Sequence, residues 1–180
     1  MVMIRRINFL GGACTGKSTM AAGIFSKLRK NGFSAELTGE FVKDWAYTGR
    51  VATKFDSLTT FSNQLYREEL PLKSGIDLVV NDSPILLSII YAKNDSVGIE
   101  EAMLQILNKF ESYYPSLNIF LERDGIDYEN EGRYSGLDVA ERIDGEILNA
   151  LSSNGIEYKL MKSLDDSAVY EYIMNELNKN

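Results

Sequence analysis

Short apolar runs and longer amphipathic stretches take turns along this chain of 180 residues. Five short runs predict strands: Arg5–Leu10, Ser34–Thr38, Asp77–Asn81, Leu117–Leu121 and Glu157–Met161. Between them the apolar positions recur at helical spacing. Ser18–Asn31 predicts a helix with Ala21, Ala22, Ile24, Phe25 and Leu28 on one side and Asn31-Gly32 as its stop. Phe41–Tyr47 has short helical character, and Ser57–Lys73 predicts a longer helix that Pro71 bends or restarts. Ile85–Ala92, Ile99–Tyr114, Leu137–Leu151 and Ser167–Asn178 complete the helices, while Arg123–Gly136 turns polar, with Gly125, Gly132 and Gly136, and reads as a loop. No repeat, low-complexity tract or linker interrupts the pattern, so residues 1–180 read as one domain.

Strands separated by helices imply βαβ units, and hence an α/β fold with a parallel sheet covered on both faces. Ligands of such sheets bind at the carboxyl ends of the strands. That rule selects Gly11–Thr19 after the first strand, Glu40 after the second, Asp82 after the third and Arg123 after the fourth.

Composition narrows the chemistry. Lysine and arginine number 19 against 26 acids, a net charge of −7, so a general affinity for duplex nucleic acid is disfavoured. Histidine is absent and Cys14 is the single cysteine, which excludes imidazole acid–base schemes, ordinary structural zinc sites and an internal disulfide. One cysteine fits a reducing compartment. The apolar run Ile7–Leu10 is too short for a signal-peptide core, and no stretch approaches a bilayer span, so the expected location is the cytoplasm, with no membrane partner.

The segment after the first strand, GGACTGKST, fits the phosphate-loop pattern G-x-x-x-x-G-K-[ST] through Gly11, Gly16, Lys17 and Ser18. Gly11 and Gly16 allow a tight turn that brings backbone amides to phosphate oxygens, and the helix beginning near Lys17 adds its positive end. Gly11, Gly12, Ala13, Cys14, Thr15, Gly16, Lys17, Ser18 and Thr19 therefore form the expected ATP cradle. Lys17 reaches the β- and γ-phosphates, Ser18 binds Mg²⁺ and Thr19 touches a more distal phosphate. Cys14 reads as a small residue that the loop tolerates.

The other strand ends supply candidates of less local definition. Glu40, in LTGEFVKDW, is placed to accept a proton from an attacking hydroxyl or to hold a water on Mg²⁺. Asp82 follows an apolar strand, where an acid holds the metal, meets the acceptor or caps the next helix. Trp45 stacks on an acceptor base or belongs to the core. Arg123, Arg133 and Arg142 flank the glycine-bearing loop, where arginines neutralise transferred charge or pair with neighbouring acids; Arg123 and Arg133 are the candidates. Gln64, Arg67, Arg50 and Lys43 lie in the helical insertion between the second and third strands.

Together GGACTGKST, EFVKDW, VVNDSP and FLER followed by Y-x-x-x-G-R resemble the small P-loop kinase-type ATPases of bacteriophages. They are similar to the nicotinamide riboside kinase domain of bifunctional NAD-biosynthesis regulators and, more distantly, to deoxynucleoside kinases. The resemblance covers roughly residues 4 to 175. It implies a three-layer P-loop NTPase fold with a five-stranded parallel sheet and a lid near residues 123–136, Glu40 as candidate base, Arg123 and Arg133 as lid arginines, and, for a phage protein, the host cytoplasm. The deoxynucleoside-kinase pattern has proline where this chain has Phe41, and arginine where it has Ser83, so the acceptor need not be a deoxynucleoside.

The expected function is an ATP- and Mg²⁺-dependent phosphotransferase acting on a nucleoside, nucleotide or related small molecule, with homodimer formation left open. One alternative is phosphorylation of a hydroxymethylated base or an end in DNA, which needs a local basic track. Another is a P-loop ATPase switch acting through a protein partner. A GTPase is disfavoured because LERD stands where N-K-x-D would follow the fourth strand, and an AAA+-type motor because the chain lacks room for a helical lid domain.

Overall fold

The computed structural model describes residues 3–51, 53–93, 98–123 and 137–179. In chain order the elements are β1 (Arg6–Leu10), α1 (Lys17–Lys30), β2 (Ala35–Thr38), α2 (Lys43–Thr48), α3 (Asp56–Lys73), β3 (Leu78–Asn81), α4 (Ile85–Ala92), α5 (Glu100–Tyr113), β4 (Ser116–Glu122), α6 (Leu137–Ser153), β5 (Lys159–Lys162) and α7 (Asp166–Leu177). The five strands form one parallel sheet in the order β2-β3-β1-β4-β5. This is the expected α/β P-loop fold, with β1 between β3 and β4.

Alternation along β1 sorts the core into two layers. Ile7 and Phe9 pack with Met20, Ala21, Ile24 and Leu28 of α1 and with Val169 and Ile173 of α7. Leu10 points the other way, into a layer with Phe61 of α3, α4, Met103 and Leu107 of α5, and Ile143 and Ile147 of α6. Helix α4, ILLSIIYA, lies beneath that layer and is almost wholly buried, which explains its continuous apolar run. No helix among the described residues is long and apolar enough to cross a membrane.

Helix α3 continues through Pro71 to Lys73 instead of restarting there. The proline falls in the last turn, where it removes one hydrogen bond, and Ser74 N–H donating to Leu70 O and Ile76 N–H donating to Pro71 O close the end. Strand β5 begins two residues later than the pattern predicts and runs along an edge with three of its four residues exposed.

A row of polar side chains crosses the middle of the sheet. Thr38, Asn81, Asn8 and Asn118 share one register across β2, β3, β1 and β4. The Thr38 hydroxyl donates to Asn81 Oδ1, Asn81 Nδ2 donates to Asn8 Oδ1 at 2.7 Å, and Asn8 Nδ2 donates to Asn118 Oδ1 at 2.9 Å. Beside the row, Arg6 is fully buried. Its Nη1 meets Glu68 Oε2 at 2.8 Å, its Nη2 donates to Glu111 Oε1, its Nε donates to Tyr114 O at 2.9 Å, and its guanidinium lies 4.4 Å from the Phe110 ring centroid. Glu68 also accepts from Asn81 Nδ2 at 3.2 Å and, through Oε1, from the backbone N–H of Ile85 at 2.6 Å. Burial raises the Glu68 carboxyl above its ordinary value of 4.5, against the pull of the Arg6 guanidinium and the Ile85 amide.

Candidate active site

The strand order fixes what can meet at the carboxyl edge. The loop after β1 has Asp82 beside it at the end of β3 and Arg123 beside it at the end of β4, and Glu40 stands one strand further out, after β2. The backbone N–H of Asp82 donates to Thr38 O at 3.1 Å, which ties the β3 and β2 ends together.

The loop turns through three residues of positive φ, Gly11 at 139°, Cys14 at 60° and Gly16 at 76°. A Cβ at Gly11 would stand 2.7 Å from Thr15 Oγ1, so this position admits glycine on both conformation and space. Thr15 is fully buried and donates from Oγ1 to Gly12 O at 3.1 Å. Cys14 holds its left-handed conformation without glycine's freedom, a cost of about 1–2 kcal/mol for an L residue. Lys17 is half-buried, not solvent-facing, and its Nζ donates to Gly11 O at 2.8 Å and Gly12 O at 2.6 Å.

Helix α1 begins at this loop with no capping side chain and no acid in its first turn. Helix α7 is the contrast: Asp165 caps it by accepting from Ala168 N–H at 2.9 Å. An ammonium group held against the loop and an uncapped, acid-free helix start give this stretch the positive character that suits phosphate oxygens. Among the described residues no group of three or more Asp, Glu, Cys or His side chains could hold a metal by itself. A magnesium ion held by one or two protein groups together with phosphate oxygens and water fits this sparse donor set, with Ser18 and Asp82 as the donors at hand.

The neighbouring candidates divide. Asp82 is 8% exposed and does not cap α4, whose N-cap is Pro84 and whose first amide, that of Ile85, is taken by Glu68 from α3. Trp45 belongs to the core: it too is 8% exposed, with the Arg50 guanidinium 3.8 Å from its ring centroid and Phe41 packed edge-on at 5.5 Å. Arg50 is anchored by Asp56 Oδ1 at 2.8 Å, and Asp56 Oδ2 accepts from the N–H and hydroxyl of Thr53. The Thr53 amide is the main cause holding the Asp56 carboxyl below its ordinary value. Arg67 lies over Phe41, 5.1 Å from its ring centroid, and 3.7 Å from Asp44 Oδ2. Gln64 Oε1 accepts from the Phe41 amide at 3.3 Å, so α3 holds the chain that follows Glu40. Arg142 forms an exposed ion pair with Glu146 one turn along α6. Arg133, and all of the 123–136 loop except Arg123, lies outside the described residues.

Arg123 has partners that the sequence did not suggest. Its Nη1 donates to Ala13 O at 2.6 Å and its Nε to Asp144 Oδ2 at 2.9 Å, while Asp144 Oδ1 accepts from the Gly12 amide at 2.5 Å. In this structure Arg123 is a loop residue, bound to the backbone of GGACTGKST. Asp144 was detectable as a charge among Ala140, Ile143 and Ile147 on the apolar face of α6.

A family model described as an AAA domain matches residues 6–165. The chain belongs to that family. No protein of curated function matches the sequence. Among solved structures, the AAA-domain chain is similar to a NadR protein in complex with NAD and AMP-PNP, with a TM-score of 0.71 and 12% identity over 98% of this chain and 50% of that one. It thus spans about half the length of NadR. A thymidylate kinase from Ehrlichia chaffeensis aligns with a TM-score of 0.68 and 14% identity, covering 98% of this chain and all of that one. A deoxyadenosine kinase from M. mycoides with bound dCTP aligns with a TM-score of 0.55 and 18% identity, covering 97% of this chain and 100% of that one. At these identities the likeness is one of fold, the nucleoside- and nucleotide-kinase-like arrangement of a P-loop sheet.

Proposed function

We propose that this AAA-domain protein is an ATP- and Mg²⁺-dependent phosphotransferase whose acceptor is a nucleoside, a nucleotide or a related small molecule. The observation that carries the reading is the carboxyl edge of the sheet: a phosphate loop with Lys17 over it, Asp82 one strand away and Glu40 one strand beyond. A bare nucleotide-binding module needs the loop, whereas a transferase also needs an acid on the acceptor side. The three similar structures are of proteins whose names or bound molecules concern nucleosides and nucleotides, which favours that acceptor class.

In this reading the Lys17 ammonium meets the β- and γ-phosphate oxygens, and the amides that open α1 hold the remaining charge. Ser18 and Asp82 would hold magnesium, which when bound would supply neutralisation of phosphate charge. Glu40 orients the acceptor hydroxyl or takes its proton, and the contact between Gln64 and the Phe41 amide keeps the Glu40 segment in place. Arg133 closes over the transferred group, while Arg123 steadies the loop from the side. A second reading, a P-loop ATPase switch that works through a protein partner, is compatible with the same family match.

ATP consumption with Mg²⁺ against pooled nucleosides, nicotinamide riboside, nucleoside monophosphates and short DNA with and without modified pyrimidines separates the readings. A rise over background with one small-molecule pool supports the kinase. A rise with DNA alone transfers the activity to the polymer. Equal slow hydrolysis in every pool supports the switch.

A further inference from the structure

The loop carries one glycine more than its pattern requires. G-x-x-x-x-G fixes Gly11 and Gly16 and leaves Gly12 free to be any residue. Gly12 has no positive φ, so backbone conformation does not demand glycine there. Space does. A Cβ at Gly12 would stand 2.6 Å from Ala140 O, 3.0 Å from Asp144 Oδ1 and 3.1 Å from Arg123 Nη2. The first of these is helix backbone, which cannot step aside as a side chain can. Helix α6 therefore rests directly on the loop, and the missing side chain of Gly12 is the seat.

What α6 brings to that seat is Asp144, with both carboxylate oxygens engaged. Oδ1 takes the Gly12 amide at 2.5 Å and Oδ2 takes Arg123 Nε at 2.9 Å. Arg123 closes the ring through Nη1 to Ala13 O at 2.6 Å. The pair is largely withdrawn from water, with side chains 14% and 17% exposed. A lone carboxylate beside a phosphate site would repel the nucleotide. Paired with Arg123 it carries no net charge, and with both oxygens occupied it is neither a phosphate partner nor a free metal ligand.

Beside the Thr15 hydroxyl on the Gly12 carbonyl, two sets of contacts among the described residues hold the first half of the loop. Lys17 binds the carbonyls of Gly11 and Gly12. The Arg123–Asp144 pair binds the amide of Gly12 and the carbonyl of Ala13. The second set does not depend on Lys17, whose ammonium must also serve the phosphates. We propose that Asp144 and Arg123 are positioning residues that hold the Gly12–Ala13 stretch in its binding shape while Lys17 serves the triphosphate, and that the Gly12 amide belongs to this clamp and not to the phosphate. The proposal rests on the reading of the loop as an ATP site. It assigns α6 a part in nucleotide affinity that no loop motif encodes.

Without the clamp the loop samples shapes that do not bind, and apparent affinity falls by the fraction that remains competent. The test is calorimetric titration of the full chain with Mg²⁺ and AMP-PNP, with a thermal midpoint for every variant. Asp144→Ala and Arg123→Ala are each expected to weaken binding by about tenfold or more, the scale of losing hydrogen bonds to a charged group. The double variant should be little weaker than the worse single one, because the two residues act as one unit. Asp144→Asn keeps an oxygen for the Gly12 amide, gives up the charge toward Arg123 and should fall between. Ile147→Val trims the core face of the same helix without touching the loop; it should leave affinity unchanged whatever it does to the midpoint. Asp144→Asn and Arg123→Ala carry the test if Asp144→Ala fails to fold. Wild-type affinity in those two variants overturns the clamp while leaving the ATP site intact. So does an affinity loss in Ile147→Val equal to that of Arg123→Ala, which would make the effect one of general stability. Absence of AMP-PNP binding by the wild type overturns the ATP-site reading and the clamp with it.

Discussion

Glu68→Ala should be among the most damaging single substitutions in this protein, although Glu68 lies away from the phosphate loop. Its carboxylate meets Arg6, Asn81 and the first amide of α4, and both members of the Arg6–Glu68 pair are fully buried. Removing one partner of a buried pair costs about 3–5 kcal/mol, because the other charge is left without compensation. The Ile85 amide then loses the Glu68 acceptor at a helix start with no capping side chain, about 1 kcal/mol more. Glu111, the second carboxylate on Arg6, offsets part of this, but it is 33% exposed and already bound to Ser116. A net loss of about 4 kcal/mol is a large share of the roughly 5–15 kcal/mol that holds a domain together. Urea unfolding followed by circular dichroism measures it. The double variant Arg6→Met with Glu68→Leu removes both charges and should recover at least half of the loss. A cost below about 1.5 kcal/mol for Glu68→Ala, or a double variant less stable than the single, would refute the claim that the charge left on Arg6 dominates. The pair also has a pH signature. Burial raises the folded carboxyl above its unfolded value of 4.5, so the pH-dependent part of its contribution is full below pH 4.5 and declines as pH rises through the folded value, while the contact with Arg6 remains. Glu68→Gln should remove that decline from the stability–pH curve.

Lys17→Ala should abolish phosphoryl transfer and also loosen the loop, because Lys17 holds two of its carbonyls; a wild-type turnover number would end the phosphate-loop assignment. Glu40→Gln should leave Mg²⁺–AMP-PNP affinity unchanged and lower turnover by about 10²-fold or more if Glu40 moves the acceptor proton, and unchanged turnover would remove it from that role. Asp165→Ala should cost about 1 kcal/mol in thermal or urea unfolding through loss of the α7 cap, with no effect on nucleotide binding.

The features legible in the sequence are those written in consecutive residues. GGACTGKST specifies its own turn, and the apolar runs with the helices between them are enough to order a parallel sheet and so to nominate Glu40, Asp82 and Arg123 by position. The features that stayed hidden depend on which residues meet across the fold. Asp144 stands 132 residues from the amide it holds, and Glu68 stands 62 residues from Arg6. Each left a trace, a charged residue on the apolar face of a helix, but periodicity reads such a residue as an exception. Arg6 and Asn8 were similar traces in β1, two polar side chains pointing inward from a strand that is buried throughout. Asp82 as a helix cap was a sound local reading that a distant residue displaced, since Glu68 reaches that amide first.

The row of Thr38, Asn81, Asn8 and Asn118 has a consequence for how the sheet assembles. Aliphatic parallel strands shifted by two residues still place oily groups against oily groups, so burial alone is a poor judge of alignment. A side-chain amide is a stricter one. Sliding β3 or β4 by one pleat against β1 would part Asn8 from Asn81 or from Asn118 and strand donors and acceptors in a dry layer, at about 1–3 kcal/mol for each orphaned group. The row acts as a key cut at a single depth. Because the two strands it pins to β1 are the ones that end in Asp82 and Arg123, the same key aligns the two flanks of the phosphate loop before any ligand arrives.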